Sequence, residues 1–395
     1  MEIELSKSFA NHWQIASDLI FLNHGSFGAT PTIVLKEKFR LVEQLERDPI
    51  EFLAPERTLL GKVARARETV ARLVHANSDD VAFVANATDG VNAVLRSFPL
   101  ADGDEILLTS HGYNACNNAV RYAAERAGAS VIVADIPFPI AHSDHVISAI
   151  DSKLTNATRL IVVDHVTSST GLVFPIEQIV QLAHHRGVRV LVDGAHAPGM
   201  LPVNLTTLDA DYYTANHHKW LCGPKASGFL WVAPKHQSEV RPTVISHAAN
   251  SPGLGKSQFL AEFNWTGTYD PSSLLCVPTA IAFLSDLLPG GLSELMHRNR
   301  DMVLTARSLL CDALDIPPPA PDAMIGSLAT IPVPKFNSAT KPELSNFQRR
   351  LRDDFNLEVP VFRLANGTPC LRVSAQAYNT ESDYERLAAA LTERP

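Results

Sequence analysis

The sequence predicts an α/β fold, in which a large domain built on a mainly parallel sheet is followed by a smaller C-terminal α+β domain. Three observations predict it. From about residue 60, short apolar runs alternate with helical patterns, as strands joined by helical crossovers require. Polar stretches follow these runs directly, at the strand ends where such sheets bind ligands. Near Asp270-Pro271 the alternation gives way to long helical periodicity and then to a mixed strand and helix pattern.

Strands are predicted over residues 81–84, 105–109, 130–134, 160–164, 188–192, 212–214 and 228–232, each a Val/Ile/Leu-rich or aromatic run bounded by polar residues. Residues 271–288 read as helix, the break Pro289-Gly290-Gly291 stops it, and an amphipathic helix is expected over 292–314. After the proline-rich connection at 317–321 come a strand (328–333), a helix (344–355), two strands (359–362 and 371–373) and a closing helix (381–391). The expected division is an N-terminal segment, 1–20, packing with the small domain, a large domain over 21–270 and a small domain over 271–395.

A chain of 395 residues, 46% hydrophobic and 19% charged, is long enough to bury a large core. Its net charge of -8 and the lack of a Lys/Arg block argue against nucleic acid or anionic membrane as partners and favour a small-molecule substrate. Five scattered cysteines without a CxxC pair suit a reducing, cytoplasmic setting. The first apolar run, residues 19–22, is too short for an export signal or a membrane span.

The chemistry concentrates in Val192-Asp193-Gly194-Ala195-His196 and Asn216-His217-His218-Lys219-Trp220. One crossover and a return strand separate Asp193 from Lys219, so both can face one crevice from neighbouring strand ends. A lysine can condense with the aldehyde of pyridoxal 5'-phosphate, and a buried aspartate can keep the pyridine nitrogen protonated so that the ring acts as an electron sink. Read alone, Asp193 could instead cap a helix and Lys219 could end a strand at the surface. The turn Asn86-Ala87-Thr88-Asp89-Gly90 precedes a helical pattern, and free N–H groups at a helix N-terminus suit a phosphate. Ala87 and Thr88 are the candidates there.

With these segments, the chain resembles the fold-type I enzymes of the class V aminotransferase superfamily. Phe21-Leu22-Asn23-His24-Gly25-Ser26-Phe27-Gly28, Asp48-Pro49-Ile50-Glu51-Phe52 and Leu371 to Asn379 resemble its isopenicillin N epimerase-like branch. The resemblance implies Lys219 as the Schiff-base lysine, Asp193 as the pyridine-nitrogen partner and His196 beside the cofactor's phenolic oxygen. It further implies Tyr113 stacked on the ring, Asn216 and His218 near the phosphate, and Thr268 reaching the phosphate from a second subunit. That last role implies a homodimer. Arg372, whose fork can make two charge-assisted bonds, is implied to grip a substrate carboxylate, with Asn23 and His24 lining the same pocket.

The expected reaction is epimerase-like, at the alpha carbon of an amino acid or derivative. A carbon-sulfur lyase acting on cysteine or a cysteine-sulfoxide conjugate is the alternative. Cysteine desulfurase, aminotransferase and metal-dependent hydrolase rank behind. A desulfurase needs a cysteine on a mobile loop, and Cys370 lies at the start of a predicted strand, where reach and movement are limited. A metal site could draw on Asp164, His165, Asp193, His196, His217 and His218, but no tight ligand motif is present and no metal is expected.

Overall fold

A computed structural model describes residues 9–251 and 253–393. Residues 1–8 of the expected N-terminal segment lie outside the described residues. Two helices, α1 (Thr32–Arg47) and α2 (Leu60–Leu73), lead into β1 (Val81–Val84), α3 (Ala87–Ser97), β2 (Glu105–Thr109), α4 (Asn114–Ala127) and β3 (Ser130–Ala134). There follow α5 (Asp144–Asp151), β4 (Thr158–Asp164), α6 (Ile176–His185), β5 (Arg189–Asp193), β6 (Tyr212–Asn216) and β7 (Gly228–Val232).

These seven strands form one sheet in the order β1-β7-β6-β5-β4-β2-β3. All neighbours run parallel except β7, which is antiparallel to both β1 and β6. Successive residues of a strand face opposite ways, and both faces here are covered. Ile106, Leu108, Leu160, Val162 and Leu191 pack into one core with residues of α3 and α4. Leu107, Ile161, Val163, Val190 and Val192 pack into another with α6 and the C-terminal elements. Burial on both faces is why these strands read as continuous apolar runs.

The C-terminal part holds α7 (Val277–Asp286), α8 (Gly291–Leu314), β8 (Leu328–Pro332), α9 (Lys341–Phe355), β9 (Val361–Arg363), β10 (Pro369–Ser374) and α10 (Glu381–Thr392). The last three strands form an antiparallel sheet in the order β9-β10-β8. Early and late chain also meet, because Ile20–Phe21 pairs in parallel with Leu357–Glu358. Beyond that pair, Leu22 accepts the backbone N–H of Ser374 at 2.9 Å. The segment from Asn23 to Gly28 is thereby led between the two sheets. Among the described residues, no single helix is long and apolar enough to cross a membrane.

Candidate active site

The carboxyl ends of β4, β5 and β6 bring Asp164, Asp193 and Asn216 together. Asp164 and Asp193 are register partners on adjacent parallel strands, and both are buried. Burial pushes both carboxyls up, and Asp164 well above the usual range because the charge of Asp193 adds to it. Asp193 accepts from the Cys116 thiol at 3.1 Å and the Ala195 N–H at 3.0 Å. Two like charges cannot both persist in so buried a pair, so the two carboxyls share one proton.

Past the end of β6 the chain turns tightly, with Gly223 donating to the His217 carbonyl at 2.9 Å and Cys222 to the Lys219 carbonyl at 3.0 Å. Cys222 adopts a left-handed conformation, φ 54°. The turn buries Lys219, which keeps only 9% of its surface. Burial lowers its proton affinity to about 8, against an opposing pull from Asp193. Its Nζ lies 2.8 Å from Nε2 of His196, whose Nδ1 accepts from the Trp220 indole at 3.3 Å. Burial, with Lys219 close by, holds His196 well below the usual imidazole range.

At the start of α3, Asn86 caps the helix by accepting the Asp89 N–H at 3.0 Å, while Asn216 accepts the Ala87 N–H at 2.9 Å. Asp89 accepts from the Ala85 N–H at 3.1 Å and the Thr243 hydroxyl at 2.8 Å. Ala87 is buried and Thr88 half-buried beside this helix end. His218 keeps a buried Nδ1 without a partner among the described residues, and burial lowers its pKa to about 4. Thr268 is exposed on this chain.

Arg372, on β10, is buried, which lowers its pKa to about 10. Its guanidinium donates to the Ser168 carbonyl and to the Ser26 hydroxyl, the latter at 2.9 Å, and its Nε has no partner among the described residues. Ser26 in turn donates to Asn23 at 2.5 Å, and Asn23 donates to Glu358 at 3.2 Å. His24 is wholly buried, its Nδ1 2.7 Å from the Tyr378 hydroxyl and its Nε2 3.0 Å from the Lys219 carbonyl. Tyr113, 44% exposed, flanks a cleft of about 630 Å³ that Arg372, Ser168, Phe362, Leu364 and Arg121 also line.

The family model for class-V aminotransferases matches residues 55–312. The chain is 33% identical to an isopenicillin N epimerase of Amycolatopsis lactamdurans, covering 94% of this chain and 94% of the relative. It is 31% identical to a putative L-cysteine desulfhydrase 1 of Oryza sativa subsp. japonica, covering 94% and 82%. This chain belongs to the aminotransferase class-V family. Its fold is shared by a solved C-DES variant with glycine covalently linked to its PLP cofactor, at a TM-score of 0.82 and 21% identity, covering 97% and 99%.

As a class-V member, the chain is an enzyme of the pyridoxal-phosphate group. Its buried groups fit that cofactor. The Asp193 carboxylate suits a cationic ring nitrogen, the unpartnered His218 nitrogen and the start of α3 suit a phosphate, and Lys219 is a buried amine of lowered basicity. Among the described residues, no three of His, Cys, Asp and Glu gather as a metal set.

Several members of this class-V site were not apparent in the sequence. Cys116 on Asp193, Trp220 on His196, and Ser26 and Ser168 on Arg372 all depend on contacts between distant segments or on turn geometry. Ser168 lies in the polar run following β4, and Trp220 and Ser26 lie in the lysine and N-terminal motifs, but nothing in those segments gave their partners.

Proposed function

We propose that this enzyme acts at the alpha carbon of an amino acid or derivative with a free α-amine and carboxylate, by isopenicillin N epimerase-like chemistry. Pyridoxal phosphate, when bound, supplies an electron sink that weakens the bonds at that carbon. Lys219 anchors it, and once released moves the alpha proton. Asp193 holds the ring nitrogen protonated, His196 hydrogen-bonds at the phenolic oxygen, and Tyr113 covers the ring face. Ala87, Thr88, Asn216 and His218 hold the phosphate. The exposure of Thr268 suits its reaching the phosphate of a second copy in a cytoplasmic homodimer. Arg372 grips the substrate carboxylate, releasing its present acceptors, Ser168 and Ser26. Asn23 supports that grip through Ser26, and His24 braces the lysine turn.

Epimerisation needs a second proton carrier on the opposite face. His24 and His217 are both fully buried, His24 with both ring nitrogens engaged, by Tyr378 and the Lys219 carbonyl, and His217 bonded through Nδ1 to Ser227. Tyr113 lines the cleft beside Arg372, which supports it as that carrier. The observation that carries the epimerase-like reading is this cleft, whose lining joins Tyr113 and Arg372 to the apolar Phe362 and Leu364, side chains suited to a substrate with an apolar group larger than that of cysteine. The carbon-sulfur lyase reading draws support from the desulfhydrase relative. Desulfurase chemistry draws none, since all five cysteines are buried and burial pushes the Cys370 thiol up to about 12.

Incubation of the holoenzyme with a panel of amino acids and peptides in deuterated water tests the reading. Alpha-deuteration with inversion is expected. Pyruvate with a released thiol or sulfide, and no inversion, would establish the lyase instead.

A further inference from the structure

Lys219, His196 and Trp220 form a buried chain of three polar groups, only 9%, 1% and 1% exposed. The indole donates to Nδ1 of His196 at 3.3 Å, and Nε2 of the same ring lies 2.8 Å from Nζ of Lys219. An indole N–H can only donate, while a neutral imidazole offers one donor and one acceptor. Nδ1 is therefore the acceptor, and the ring proton sits on Nε2. The contact between Nε2–H and Nζ then has one sense, with the lone pair of the amine accepting. An ammonium at Lys219 would set proton against proton. A doubly protonated imidazole would strip the indole of its acceptor.

We propose that Trp220 is a positioning residue that fixes the tautomer of His196, so that Nε2–H donates to Lys219 and holds it as a neutral, nucleophilic amine. This rests on the reading of Lys219 as the covalent anchor. The charge shared by Asp193 and Asp164 faces the lysine and, with Cys116 beside it, favours its ammonium form, so a device favouring the amine has something to oppose. Arg372 acts with that device on Lys219, and the groups facing His196 are Lys219, Arg372, His218 and His24, all of which disfavour a second proton on the ring. Packing keeps the chain dry. A Cβ on Gly25 would stand 2.9 Å from Leu328 Cδ1, and 3.7 Å from both His196 Cε1 and Trp220 Cζ2, so the N-terminal segment closes directly over the two rings.

The test uses the cofactor-free protein with ¹⁵N-labelled histidine, its His196 signals assigned by their loss in His196→Gln. Above pH 8, nitrogen NMR is expected to show a protonated Nε2 and a bare Nδ1 for His196. A protonated Nδ1 with a bare Nε2 would overturn the proposal. Trp220→Phe keeps an aromatic ring and removes the donor. In it, the midpoint of the pH profile for capture of pyridoxal phosphate is expected to rise by about half to one unit. An unchanged midpoint in a folded variant would equally overturn the proposal, and if the variant does not fold, the NMR of the unsubstituted protein decides. Covalent capture persisting in Lys219→Ala would refute the anchor reading while leaving the tautomer measurement intact.

Discussion

Lys219 and Asp193 could be paired from the sequence because each follows an apolar run and one crossover separates them. The lysine's basicity was not legible there, since it depends on burial. A neutral amine is the attacking form, and burial lowers the pKa from 10.5 to about 8. Capture of pyridoxal phosphate by the cofactor-free protein should therefore rise about tenfold per pH unit below 8 and level off above it. Stopped-flow absorbance checks this, and a rise continuing to 10.5 would mean an ordinary lysine. Arg372 was legible as a residue type, but its present acceptors, Ser168 and Ser26, come from segments far away in the chain. Arg372→Lys loses the two-pronged grip, so KM for carboxylate substrates should rise by about 10- to 100-fold with a smaller change in kcat. Steady-state kinetics would show the split.

At the scale of elements, the seven strands of the large sheet were readable because burial on both faces leaves continuous apolar runs. Three of them shifted by one or two residues at an end, where Thr158 and Arg159, Asp193, or Ala215 and Asn216 continue the ladder and Val188 falls outside it. The pairing of Ile20–Phe21 with Leu357–Glu358 left no periodic signal, being two residues long and joining opposite ends of the chain. That pairing positions the Asn23 to Gly28 segment against the lysine turn. Gly28 has φ +67°, and a Cβ there would fall 2.0 Å from the His218 carbonyl oxygen. Gly28→Ala should destabilise the protein by about 2 kcal/mol or more. Denaturant unfolding of the cofactor-free protein measures this, and wild-type stability would show that the segment does not press on the turn.

Across the whole molecule, the active-site end of the sheet and its surroundings bury several neutral histidines. His24, His111, His165 and His218 are held to about 4 and His217 to about 3, in each case mainly by burial, against an ordinary 6.5. The unfolded chain takes up protons below 6.5 that the folded chain refuses until about 4. Stability is thus fully present above 6.5 and falls as the pH drops through this window. Melting temperatures of the cofactor-free protein across the range should show a steep acid decline, and a flat profile would contradict the burial argument. Such a cluster of histidines is plain in composition, but their protonation is a property of the packed fold.

The central claim, that Lys219 joins pyridoxal phosphate in a crevice shared with Asp193, is tested most directly by borohydride reduction of the holoenzyme followed by peptide mass mapping. A pyridoxyl group on Lys219, absent from Lys219→Ala, is the expected result. The same group on another lysine, or none on a protein that retains visible absorbance, would contradict it.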